Sequence, residues 1–422
     1  MSLQTILIVS PHLPYKNVGH AGGKNIYEFI VSLKKRGFKV YLLSLVLPEE
    51  EKELPGVRDL CDDVHFLISK PVFSDSLFNS LLRNPFFFAF QLSKAAIKYF
   101  RIRRGFRFHL RRLTRLYNLD IIQVEYTSMA TYLSKVGSKG LTVLHLHDVM
   151  FKPVERMFRT EKQKIRRILG FLFFVITREM EISFCRKFDK LLVLSECDRD
   201  LLLKRGDFDI EVFTLGIERA PWTPGYKERE AQSILFVGAM DREVNEKAVL
   251  YFIREVMPRL EKKIGKIKFY VVGKSPSAHL LTMRRDNVEI TGFVEDVGRF
   301  YRNCQVFVAP LFFGGGMIFK VIQAMSFGLP VVSSTVANEG VLARQNEEIL
   351  IADTPEEFCD KIASLLENGI LWNDLSKRAR SFVETNYSWD VVTDDYLKYC
   401  QDDHARGNIL ASGTISSTCL SK

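Results

Sequence analysis

The chain has 422 residues and a formal net charge of +10, with 47% of its residues hydrophobic and 26% charged. That balance excludes a disordered or membrane-spanning chain, and the length exceeds what one core normally holds, so two large domains are expected. Seven cysteines, scattered and never in C-x-x-C spacing, exclude a disulfide framework and a cysteine zinc site and fit a reducing cytoplasm.

The first apolar run, in MSLQTILIVSPHLP, lacks the features of a signal peptide and reads as a first strand. Short runs rich in Val, Ile and Leu then alternate with helical stretches, the pattern of parallel sheets wrapped in helices. In the first half the strands are TILIVSP, VYLLSLV, VHFLI, IIQVE, TVLHLH and KLLVLS; a second series comprises SILFVGA, IKFYVVG, VEITG, VFVAP and PVVSS. The predicted division is an N-terminal domain over 1–215, a linker over 216–232, a C-terminal domain over 233–387, a helix over 388–403 returning to the N-terminal domain, and a disordered tail over 404–422. Between Arg83 and Leu119 stand ten Lys or Arg and no Asp or Glu, a run that calls for an anionic partner, a membrane surface or a nucleic acid. The most apolar run, Leu169 to Ile176, is too short to cross a bilayer.

In open α/β sheets ligands bind at the carboxyl ends of the strands, so the loops following the strands carry the candidate sites. After VFVAP come Gly314, Gly315 and Gly316 and then a helix whose apolar residues Ile318, Val321, Ile322 and Met325 form one stripe. Glycine amides and a helix N-terminus suit a phosphate. Lys320 and Gln323 share the opposite face, a cation for phosphate oxygens beside a neutral group for a sugar hydroxyl. A plain tight turn with a solvated lysine is the other reading. After SILFVGA, Gly238 is followed by Arg242, Asn245 and Lys247, which would open onto the same crevice. VEITGFVED offers Gly292, Phe293 and Val294 to a nucleotide base, with Phe293 as plain core the alternative. In the N-terminal half, Gly22 and Gly23 mark a loop before the helix NIYEF that leaves room for a substrate; it is not G-x-G-x-x-G, so no dinucleotide site is read there. TVLHLHDVM places His145 and His147 on one side of a strand and Asp148 on the other. With no further ligand at hand this is not a metal site, and His147, nearer the strand end, is the polar group expected to face a reacting hydroxyl.

The segments FVGAMDREVN, VVGKSP, ITGFVEDVGRFYRNCQVFVAPLFFGGGMIFKVIQAMSFGLPVVSSTVANEG and YSWD resemble the retaining glycosyltransferases of family 4, in particular the GGG..K subgroup of bacterial sugar transferases. The likeness covers nearly all of residues 233–390 and is looser in the first half, resting there on SPHLPYKNVGHAGG, HLHD and FDKLLVLSECDRDLL. It implies an α/β fold of GT-B type, two facing Rossmann-like domains with parallel sheets and a cleft between them. It implies a UDP- or GDP-sugar held by the second domain, through Gly238, Gly292, Phe293, Val294, Gly314, Gly315, Gly316, Gln323 and Lys247. The acceptor, a glycan or lipid-linked molecule, would be held by the first domain through Gly22, Gly23 and Asp148. Lys320, Arg242 and His147 would be catalytic, the basic pair stabilising the departing diphosphate. The resemblance implies neither cofactor nor metal, and nucleic acid is not an expected partner. The chain departs from the family at Gly315 and Gln323, where relatives often carry a glutamate pair spaced E-x7-E. Two functions therefore stand: transfer of a sugar with retention in cell-envelope polysaccharide or glycolipid assembly, on the inner face of the membrane through residues 83–119, or a catalytically silent GT-B scaffold for a partner enzyme.

Overall fold

The structure is a computed structural model that describes residues 3–18, 21–69, 85–132, 140–160, 163–218, 225–312 and 317–411. The chain divides into two compact units, Met1–Gly216 with Val392–Lys422, and Ile217–Val391.

In the first unit seven strands form one parallel sheet: β1 (Thr5–Ser10), β2 (Lys39–Val46), β3 (Asp63–Ile68), β4 (Ile121–Glu125), β5 (Leu141–Leu146), β6 (Lys190–Val193) and β7 (Ile210–Val212), in the order β3-β2-β1-β4-β5-β6-β7. The inner strands are apolar on both sides because helices cover both faces. One face is built from Leu7, Val9, Leu43, Val124, Leu144 and Leu191, which pack with the inner sides of α2 (Pro85–Leu116), α3 (Phe151–Thr160) and α4 (Lys164–Cys185). Against the other lies α1 (Ala21–Lys35), whose Phe29 meets Phe213 and Tyr396 at ring distances of 5.9 and 5.0 Å. Tyr396 belongs to α7 (Trp389–Ala411), which is held to α1 by an Arg36 to Asp394 ion pair of 2.8 Å and a Thr393 to Ser32 hydrogen bond of 2.9 Å. The final helix thus runs past the expected end at 403; the rest of the expected tail, 412–422, lies outside the described residues.

The second unit has a six-stranded parallel sheet of β8 (Ser233–Val237), β9 (Lys268–Val272), β10 (Val288–Gly292), β11 (Val306–Ala309), β12 (Val331–Ser333) and β13 (Leu350–Ile351), in the order β10-β9-β8-β11-β12-β13. Residues 225–232, expected in the linker, are integral to this unit. Arg229 is buried and donates to the carbonyls of Tyr301, Cys304 and Phe327 at 2.7, 2.8 and 3.0 Å while lying over the Trp372 ring. A guanidinium with five donors can satisfy several loop carbonyls at once, which is why a charge is tolerated there.

The eleven expected strands are all present, and two more appear, β7 and β13. Both sit at sheet edges and are three and two residues long, too short to show a period in the sequence. In each sheet the order reverses once, between β1 and β4 and between β8 and β11. Those reversals open a crevice at the carboxyl ends of the strands, which is where a ligand fits in this architecture. Among the described residues no helix is long and apolar enough to cross a membrane.

Candidate functional site

In the second unit the reversal between β8 and β11 gathers Gly238, Arg242, Asn245 and Lys320. α5 (Glu243–Tyr251) follows β8 with Arg242 at its N-cap, and α6 (Phe319–Ser326) follows β11. Burial of Val321, Ile322 and Met325 on α6 leaves Lys320 and Gln323 together on the less buried side, as the apolar spacing predicts. The Lys320 ammonium donates to Asn245 Oδ1 at 2.6 Å, and Asn245 Nδ2 donates to the Ala239 carbonyl at 2.8 Å. Lys320 is thereby fixed to the loop after β8 rather than left to sweep through solvent. A Cβ on Gly238 would lie 2.8 Å from both the Lys320 and the Asn245 side-chain nitrogens, so only glycine allows this approach. The loop is narrowed again by Gly273, whose φ of +150° and contact with the Gly238 carbonyl leave no room for a side chain.

Burial, with the nearby Arg242 guanidinium adding to it, lowers the Lys320 amine to about 7, well below the usual lysine range. The ammonium also lies 4.6 Å from the Phe236 ring, with an amide oxygen as its hydrogen-bond acceptor. Two cationic groups held close together are the arrangement that an arriving polyanion relaxes, because it restores the charged form of the lysine.

The other donor-side expectations divide. Gly292 has φ +74° at the end of β10, a left-handed conformation suited to glycine. Phe293 is 76% exposed, so it is not a core residue, and Val294 beside it is half-buried. Lys247 is not brought to Lys320: it stands exposed and pairs with Glu243 one turn back at 2.7 Å, while Asn245, two positions away and hence on the opposite helix face, turns inward. The Gln323 side-chain amide makes no hydrogen bond with the described residues. Gly314, Gly315 and Gly316 lie outside the described residues.

In the first unit the reversal between β1 and β4 carries a buried polar cluster. Glu125 closes β4, and its Oε2 accepts from His147 Nε2 at 2.6 Å and from His145 Nδ1 at 3.0 Å. The two histidines do face one way, as their spacing predicts, while Asp148 is exposed. Gln123 donates to the other Glu125 oxygen at 2.5 Å. Burial acts to raise the Glu125 carboxyl, but His145 and His147 override it and hold the group well below the usual carboxylate range. The His147 imidazole is lowered by burial and by His145, against the opposing pull of Glu125, and so is neutral at neutral pH. With Nε2–H given to the carboxylate, its Nδ1 lone pair is left as an acceptor. Tyr126 stacks on His147 with centroids 3.9 Å apart and rings 7° from parallel, and its backbone holds φ +69°, which is costly for an aromatic residue and clusters at functional sites.

Nitrogen and oxygen atoms of Glu125, His145 and His147 lie within 4.8 Å of one another, so the further acidic group missing from the sequence reading is present. Both imidazoles nonetheless meet the same carboxylate oxygen, the geometry of a hydrogen-bond relay rather than of three donors turned on one ion. Gly22 is not in a loop: α1 begins at Ala21, and Gly22 and Gly23 form its first turn. A Cβ on Gly22 would strike the Tyr126 hydroxyl, so glycine lets α1 close against the cluster. Glu125, Tyr126 and Gly273 were missed in the sequence; Gln123 and Glu125, two polar residues at alternate positions of a strand buried on both faces, were the available signal.

Residues 231–368 match the model of a family described as glycosyl transferases group 1. An uncharacterized 44.6 kDa protein in the cps region of Klebsiella pneumoniae is 21% identical over 93% of this chain and 99% of its own length. An uncharacterized glycosyltransferase of Methanocaldococcus jannaschii is 25% identical over 64% of this chain and 71% of its own. Among solved structures, a TarM variant from S. aureus in complex with fondaparinux, α-GlcNAc-glycerol and UDP shares the fold with a TM-score of 0.63 at 12% identity, covering 94% of this chain and all of that one. The family match lies within the second unit, and with the relatives it makes this chain similar to group 1 glycosyltransferases.

Proposed function

We propose that the protein transfers a sugar from a nucleoside diphosphate sugar, UDP- or GDP-linked, to a glycan or lipid-linked acceptor with retention at the anomeric carbon, in cell-envelope polysaccharide or glycolipid assembly. The observation that carries this reading is the Lys320, Arg242 and Gly238 group at the switch point of the second sheet, two basic side chains beside a glycine of the loop after β8. There Lys320 and Arg242 neutralise charge as it grows on the departing diphosphate, and the leaving phosphate takes the acceptor proton on the same face of the sugar. No step calls on a metal or cofactor. The first unit holds the acceptor, with His147 Nδ1 receiving a hydroxyl hydrogen bond. The presence of UDP and an α-glycoside in the TarM complex, and the cps region of the Klebsiella relative, favour this class of donor and product. The test is release of nucleoside diphosphate from a panel of UDP- and GDP-sugars with glycan and glycolipid acceptors, with the anomeric proton of the product read by NMR. A product of the same anomeric configuration as the donor is expected; inversion refutes retention, and no release with any donor favours the silent scaffold.

Gln323 bears on that second reading. A neutral amide accepts from a ribose diol about half as strongly as a carboxylate does. Gln323→Glu is therefore expected to tighten binding of the donor severalfold in calorimetry. Weaker binding in that variant would mean that the amide serves a different ligand.

A further inference from the structure

Helix α4 is apolar on its outer side as well as on its inner one. Its inner side buries Phe174, Thr177, Glu181, Ile182 and Cys185, so that even a carboxylate goes inward, accepting from the amides of Met150 and Phe151. Its outer side gives solvent Ile165, Ile168, Leu169, Leu172 and Ile176, each 52 to 76% exposed. Their spacing of three and four places them in one stripe along the helix. Lys164, Arg166 and Arg167 flank its first turn, all exposed, and no acidic residue occurs from Lys164 to Thr177.

This stripe does not stand alone. The inner residues of α4 and those of α2 (Ile102, Phe106, Leu110, Leu113) pack in one cluster on one face of the seven-stranded sheet, so the two helices belong to one layer with outer sides to solvent. On α2 that outer side shows Phe100, Phe108 and Leu116, each about 60% exposed, interleaved with exposed Arg104, Arg111 and Arg115. A second copy of the chain would bring cations against cations over this layer. An apolar stripe bordered by cations on both helices matches instead an anionic lipid surface, whose acyl boundary takes the aliphatic side chains and whose headgroups take the arginines.

We propose that the outer side of α4 inserts shallowly into an anionic bilayer while α2 supplies electrostatic attraction beside it. The proposal deepens the anionic-surface reading of residues 83–119 but does not depend on glycosyl transfer. The experiment is sedimentation of the full chain with phosphatidylcholine vesicles and with vesicles also containing phosphatidylglycerol, at low and high salt. The variants are Ile168→Ser with Leu172→Ser on α4, and Arg104→Glu with Arg111→Glu on α2. Nucleotide binding by calorimetry in the same samples reports whether each variant is folded and separates failure here from failure of the donor reading. Wild type is expected to bind only the anionic vesicles, and each double variant to lose at least about tenfold in partitioning. Leu172→Trp is expected to shift its fluorescence to the blue on those vesicles and not on neutral ones. Wild type that stays in the supernatant, or α4 variants that sediment like wild type, overturn the proposal. So does a wild-type dimer that the α4 variants convert to monomer, which would assign the stripe to a second copy.

Discussion

Lys320→Ala is expected to lower the turnover of a nucleotide-sugar donor by about 10²- to 10³-fold, the usual cost of removing one preorganised group that meets developing charge. Asn245 fixes the lysine and Gly238 admits it, so in the proposed reaction little reorganisation is needed when a diphosphate departs. Its depressed amine adds a signature that a generic surface cation lacks. With a free-protein value of about 7, the amine is largely neutral at about pH 8, and a bound diphosphate, which favours the charged form, draws a proton in. Calorimetry in buffers of different ionisation enthalpy is expected to show uptake of about one proton per donor near pH 8, and affinity falling as pH rises above 7. Lys320→Arg keeps the charge at every working pH and is expected to abolish the uptake. Stability runs the other way. The unfolded chain binds this proton more tightly than the folded one, so the lysine makes the fold gain stability as pH rises from about 7 toward the ordinary lysine value of 10.5.

Glu125→Gln carries the second large effect. The carboxylate sets the His147 tautomer at 2.6 Å, and an amide in its place can donate as well as accept, freeing the ring to turn or to move its proton to Nδ1. A 10- to 100-fold loss in kcat is expected, about the cost of losing such a supporting group, with donor affinity unchanged because the donor is read in the other unit. Glu125 also raises the His147 imidazole against burial. Its removal is therefore expected to move the acid limb of the rate profile to lower pH. A variant that merely melts earlier, with kcat and acid limb as in wild type, would make Glu125 a structural residue and remove His147 from the reaction.

The parts of the fold legible in the sequence were those where one physical cause dominates. The runs ILIV (6–9) and ILFV (234–237) are apolar at every position because both sheet faces are covered, and that pattern marks a parallel strand without further context. β7 and β13 carry no such mark, being edge strands of a few residues whose pairing is set by their neighbours. Lys320 was legible from the glycines before it and the stripe opposite it. Lys247 misled because distance from a strand end does not fix the helix face; the buried Asn245 decides that, and its burial comes from a hydrogen bond to Ala239 that no periodicity reveals. Gly22 and Gly23 read as a loop since glycine disfavours helix interiors, yet the contact with Tyr126 makes the absence of a side chain worth more than the propensity lost. The relay around Glu125 depends on pairing across β4 and β5, with Glu125 opposite His145, which a single strand cannot show.

Titrating the wild-type chain with UDP, GDP and their sugars in a calorimeter, beside Lys320→Ala, shows whether the Lys320 group holds the diphosphate of a nucleotide sugar. Saturable binding of at least one of these ligands, weakened at least about tenfold in the variant, is the result the account predicts. Equal affinity in the two proteins, or no heat from any of the ligands, would contradict it.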